Sequence, residues 1–140
     1  MNAQTGDLPD FLSIIKVLIL HRVQFIVVGG VAANLFCSAR LTYDLDIVYS
    51  RKEGNLRRIV KALQNTSPYL RGAPPGLPFR LDLRTLKNGL NFTPTTDLGP
   101  LDLLGDIPGA RSYEELLSDS FEISEQDLTE LRAILEALEE

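Results

Sequence analysis

Two adjacent glycines, Gly29-Gly30, stand ahead of two aspartates one residue apart, Asp44 and Asp46, in the run FIVVGGVAANLFCSARLTYDLDIVY at positions 25–49. Residues two apart on a strand point to the same face, so Asp44 and Asp46 would project together and Leu45 away from them. Two carboxylates that close repel when partly desolvated, and a divalent cation is a direct remedy. Magnesium suits such a place, because it takes one or two carboxylates and keeps positions for water and substrate phosphates. The glycines suit the phosphates. A strand that ends in Gly-Gly and opens into a helix offers free backbone N–H groups and lets an anion approach the main chain. A third carboxylate would complete a two-metal site. Asp102, set between Leu101 and Leu103 in GPLDLLGDI, is the favoured candidate, since an acid flanked by leucines on an internal strand is costly unless used or paired. Asp82 in RLDLR would share a strand face with Arg80 and Arg84, which reads as a salt-bridged outer face, and Asp106 reads as a turn or cap residue.

The elements that must position these groups follow from the local pattern. DLPDFLSIIKVLILHR has apolar residues at 11, 14, 15, 18 and 19 and reads as a helix, with Asp7 as its cap and Pro9 in its first turn. VQFIVVGG and YDLDIVYS read as strands on either side of a short helix, VAANLFCSAR. RKEGNLRRIVKALQNT reads as a helix with Leu56, Ile59, Val60 and Leu63 on one face. SPYLRGAPPGLP is a loop by its proline and glycine content. FRLDLRTL alternates like a strand, Asn88-Gly89 signals a hairpin, and LNFTPTT reads as the return strand, with Pro94 marking an edge or bulge. After a turn at DLG, PLDLLGDI is a further strand, SYEELLSDS a short capped helix, and SEQDLTELRAILEALEE an amphipathic helix capped by Ser124. The expected fold class is α/β in the mixed α+β sense: a mixed sheet flanked by helices, in a single domain over residues 1–140.

Composition narrows the function classes. The chain has 140 residues, 44% of them hydrophobic and 24% charged, which suits one domain with a substantial core. Cys37 is the only cysteine, so no internal disulfide forms, and it reads as a core thiol. The lone His21 sits at a polar helix end, which argues against a Cys/His nucleophile pair. The polar start MNAQTGDLPD has no basic region ahead of an apolar one, and Lys16, His21, Arg22 and Gln24 interrupt the apolar run from Phe11 to Val28. A soluble, cytoplasmic protein without a membrane segment is the expectation. The net charge of −5 is uneven: twelve Lys or Arg face six acids before Asp97, and thirteen acids face Arg111 and Arg132 from Asp97 onward. The basic half is suited to attracting phosphates or a nucleic acid, and the acidic tail reads as a solvated helix face.

GGVAAN lacks the glycine offsets of a dinucleotide-binding fingerprint and the Lys-Ser/Thr of a Walker A loop. The order strand, Gly-Gly, short helix, Asp-x-Asp strand instead resembles the signature of the DNA polymerase β-like nucleotidyltransferase superfamily. RLTYDLDI is similar to small bacterial members, including the abortive-infection toxins of type IV toxin–antitoxin systems, and GLNFTPTTDLGPLDLLGDI lies where that group carries its third acid. The resemblance covers about residues 25–107. It implies a polymerase β-like fold and magnesium-dependent transfer of a nucleoside monophosphate from an NTP such as ATP to a hydroxyl of RNA, a protein or a small molecule. An antitoxin-like protein partner is a further implication. It also implies that Gly29 and Gly30 hold the triphosphate, that Asp44, Asp46 and Asp102 bind the metals, and that Asp102 helps activate the acceptor. Arg40 and Thr42, just ahead of the aspartates, would lie near the nucleotide; a surface ion pair for Arg40 and a β-forming role for Thr42 are the plain alternatives. The chain departs from the pattern in carrying Gly30 where many relatives have Ser, and in having no lysine after Lys87. Those departures support an alternative, a catalytically degenerate nucleotide-binding or protein-interaction module on the same fold. A third reading is purely structural, with the aspartates paired to arginines.

Overall fold

The β-branched and aromatic runs assemble a five-stranded mixed sheet in the computed structural model, which describes residues 10–28, 45–107 and 111–120. Helix α1 (Phe11–Leu20) leads into β1 (Phe25–Val28), and β2 (Leu45–Tyr49) leads into α2 (Glu53–Leu63), which a 3-10 turn (Gln64–Thr66) closes. Then come β3 (Tyr69–Leu70), α3 (Leu83–Asn88), β4 (Pro94–Thr96), β5 (Gly99–Leu104), β6 (Asp106–Ile107), β7 (Arg111–Ser112) and α4 (Tyr113–Leu117). The spatial order is β1-β2-β5-β4-β3, and β6 and β7 form a separate ribbon. Only β2 and β5 run parallel; β1–β2, β5–β4 and β4–β3 are antiparallel. The general class expected from the sequence, a mixed sheet flanked by helices, is therefore present.

Alternation along the two central strands decides where the core lies. Leu45, Ile47 and Tyr49 of β2 and Leu101 and Leu103 of β5 have no exposed surface and join one cluster with Ile14, Leu18, Leu56, Ile59, Leu63 and Leu86 from the helices. Helices α1, α2 and α3 thus cover this face, and burial of their aliphatic stripes is the main stabilising term. A buried Asn55 side chain joins α2 to the ends of β1 and β2: its Oδ1 accepts from Gln24 N–H at 2.6 Å, and its Nδ2 donates to Gln24 O and Ser50 O. Arg51 donates to the Tyr49 hydroxyl and to Leu86 O, both at 2.7 Å, which ties α3 to the end of β2. At the last described helix, expected to be capped, Ser112 and Glu115 form a reciprocal cap of α4.

Asp10 caps α1, accepting from Ser13 N–H at 3.1 Å. Four local expectations are corrected. FRLDLRTL is not a strand, because Asp82 accepts from Thr85 N–H at 2.9 Å and starts α3 there. That hydrogen bond holds the Asp82 carboxyl below its ordinary range, so Asp82 is a helix cap and not a member of a salt-bridged strand face. Asn88-Gly89 consequently ends a helix, and the tight hairpin is at Asp97-Leu98, where Thr96 and Gly99 pair across the turn and Gly99 takes φ 131°. Pro94 opens β4, an internal strand, so it marks neither an edge nor a bulge. Asp106, expected as a turn or cap residue, lies in β6 opposite Ser112. Asp7, Pro9, Cys37, the VAANLFCSAR helix and the C-terminal SEQDLTELRAILEALEE helix lie outside the described residues.

Candidate functional site

The parallel pairing of β2 with β5 sets Asp46 directly beside Asp102. Adjacent strands are about 4.8 Å apart, so the two carboxylates rise from neighbouring Cα atoms on one face of the sheet. It is the face opposite the leucine core, because Leu45, Ile47, Leu101 and Leu103 flank them on their own strands. Both residues are partly exposed, whereas Val48, the next residue of β2 on the same face, is fully buried. The polar surface is therefore confined to one end of the face.

Register extends this pair into a row across the whole sheet. Val28, the last residue of β1, is the partner of Asp46 on the other side, and Gly29-Gly30 follow it in the chain. In the opposite direction, the pairs Thr95↔Pro100 and Phe92↔Leu103 put Thr93 across from Asp102. Arg71, just beyond β3, donates its backbone N–H to Thr93 O at 3.0 Å. The row thus reads Val28, Asp46, Asp102, Thr93, Arg71. Its last member reaches back over β4: Arg71 Nη2 lies 2.8 Å from Asp102 Oδ1 and 3.2 Å from Pro94 O.

The ion pair is close but poorly directed. Asp102 Oδ1 is buried and receives no hydrogen bond of acceptable geometry, even though the guanidinium nitrogen is at contact distance. The contact is Coulombic and the hydrogen bond unmade, since attraction between opposite charges tolerates an angle that a hydrogen bond does not. A buried carboxylate oxygen held by charge alone is suited to a cation, which has no directional demand. The donor set also fits magnesium: hard carboxylate oxygens, two of them side by side, open to solvent at one end.

Of the residues expected at the site, Asp46 and Asp102 are thus brought together. Gly29, Gly30, Arg40, Thr42 and Asp44 lie outside the described residues. Among the described residues no three His, Cys, Asp or Glu side chains gather as a metal cluster. Two shallow clefts, of about 640 Å³ by Asp82, Leu83, Arg84, Lys87 and Asn88 and about 320 Å³ by Val60, Gln64, Phe79 and Arg80, border α3 and α2 on the core side of the sheet. They are away from the carboxylate row and carry no paired acids. Arg71 is the residue that sequence reasoning passed over. It sits in a proline- and glycine-rich stretch with no periodicity, and its approach to Asp102 follows only from the strand order.

Among the described residues no helix is long and apolar enough to cross a membrane. Comparison of the chain with protein-family models, with curated proteins and with solved structures finds no match. Reading the site therefore depends on its own chemistry.

Proposed function

We propose that the chain is a magnesium-dependent nucleotidyltransferase, moving a nucleoside monophosphate from an NTP to an acceptor hydroxyl. One observation carries the reading: Asp46 and Asp102 are cross-strand neighbours on the face away from the core, in a row that ends at Val28, the residue before Gly29-Gly30. The resemblance of the 25–107 region to polymerase β-like nucleotidyltransferases supports the same assignment and extends the metal-binding set to Asp44.

In this mechanism Asp46 and Asp102 supply the carboxylate oxygens that hold the metal. Magnesium held by these carboxylates would supply charge neutralisation of the triphosphate and Lewis-acid assistance to the displacement. On the resemblance, Gly29 and Gly30 would hold the triphosphate, since glycine lets an anion approach the main chain. Asp102 orients the acceptor hydroxyl for attack. The acceptor oxygen bonds to the α-phosphorus, the bond to the pyrophosphate oxygen breaks, and the hydroxyl proton passes to solvent. Little covalent chemistry is asked of the protein, because position and charge supply most of the effect.

Incubation with each α-labelled NTP, magnesium and a panel of RNA, protein and small-molecule acceptors tests the proposal. Labelled product is expected from wild type and is lost on Asp46→Asn, with the fold retained by circular dichroism. Transfer that survives Asp46→Asn removes Asp46 from the mechanism. A second reading, nucleotide binding without transfer, is favoured by the Arg71–Asp102 contact, which leaves one carboxylate already neutralised. It predicts a nucleotide-dependent stability change and no labelled product with any acceptor.

A further inference from the structure

We infer that Arg71 is a triphosphate-binding residue stored on Asp102 until the metal and nucleotide arrive. This rests on the nucleotidyl-transfer reading of the site and adds a residue and an order of events to it.

Position comes first. Arg71 lies on the same cross-strand row as both carboxylates and reaches Asp102 across β4 at 2.8 Å. A metal ion on Asp102 repels the guanidinium held 2.8 Å from Oδ1 and takes over its neutralising role, so metal binding weakens the hold of Asp102 on Arg71. The pair is also easily exchanged. Its Nη2 contact to Oδ1 is misdirected, and the Arg71 side chain keeps 32% of its exposure, against 19% for Asp102. A displaced Arg71 stays tethered beyond β3, at the end of the row opposite Val28. A triphosphate drawn to metal on Asp46 and Asp102 is then within its reach.

Chemistry makes the exchange favourable. A planar guanidinium matches two phosphate oxygens at once, which a misaligned carboxylate contact does not offer. In the empty site Arg71 offsets repulsion between the neighbouring acids. In the loaded site the metal takes over that role, and the arginine charge becomes available to the nucleotide.

Opposite effects on two ligands are the signature. Binding is measured for Mn2+ alone by electron paramagnetic resonance, and for a non-hydrolysable NTP analogue with Mg2+ by calorimetry. The proteins are wild type, Arg71→Ala, Arg71→Lys and Asp46→Asn. Arg71→Ala is expected to tighten Mn2+ about tenfold, as a charge that repels the metal is removed, and to weaken the analogue about ten- to a hundredfold, as a charge-assisted phosphate contact is lost. Arg71→Lys keeps the charge that stabilises Asp102 and so guards against misfolding of the alanine variant. It is expected to leave Mn2+ affinity near wild type and still weaken the analogue, since lysine cannot make the paired contact. If wild type binds both ligands and the Arg71 variants change neither, or weaken both alike, Arg71 is only a structural counter-charge and this inference falls alone. If wild type binds neither ligand, the nucleotidyl-transfer reading falls with it.

Discussion

On one face of the central sheet Leu45, Ile47, Tyr49, Leu101 and Leu103 have no exposed surface, beneath α1, α2 and α3. On the other, the residues between them, Asp46 and Asp102, are neighbouring carboxylates with Arg71 drawn over one of them. The same two strands build both faces, so backbone geometry is shared and only side-chain chemistry differs. The leucine face is what burial alone selects. The carboxylate face carries like charges in register, an arrangement that costs stability and that folding does not need. Strand pairing thus places the costly residues, and packing on the reverse side meets the cost. This separation of supporting face from chemical face is the physical argument for a site at Asp46 and Asp102.

The contrast can be broken from either side. The largest effect is expected on the supporting face: Leu103→Ala removes a fully buried side chain from β5 and should cost about 2–5 kcal/mol in urea unfolding. On the chemical face, Asp46→Asn should change stability by less than about 1 kcal/mol, because relief of repulsion accompanies the loss of its polar contacts. Equal losses at the two positions would mean that Asp46 serves the fold and not the site.

A smaller effect should appear far from the carboxylates, where α2 meets α3. Lys87 and, next, Arg57 hold the exposed Glu53 carboxyl down to about 2, through contacts of 2.9 and 2.8 Å. A carboxylate with a depressed folded-state value contributes stability that is complete above its unfolded value, and that is lost as pH falls toward the folded one. Glu53→Gln should therefore lower stability slightly at neutral pH, where the contribution is complete, and converge with wild type as pH falls from about 4.5 toward about 2. Salt should erase most of the difference, as expected for exposed pairs.

How far these regions could be read from sequence follows the same division. β1, β2, β5, α2 and α4 are visible because their apolar spacing or capping residues carry the signal locally. The 79–88 stretch misled because Phe79, Leu81 and Leu83 alternate; Leu86, three residues on, is the helical spacing, and Asp82 with Thr85 N–H is the cap that decides it. At the site, the Asp-x-Asp strand and the leucine-flanked Asp102 mark two acids. Their adjacency depends on a parallel pairing between segments more than fifty residues apart, which periodicity does not encode. Arg71 was hidden for the same reason, since three strands must line up before it meets Asp102.

The central claim, a metal–nucleotide site on the carboxylate face, is tested most directly by thermal unfolding with each of the four NTPs, with and without magnesium, on wild type and Asp46→Asn. A ligand at a hundred times its dissociation constant stabilises by about 2.7 kcal/mol, roughly 5–10 °C in Tm for a chain of this size. The account predicts a magnesium-dependent rise for at least one NTP in wild type and its loss in Asp46→Asn. A wild-type Tm that ignores every NTP, or a rise that Asp46→Asn retains in full, would contradict it.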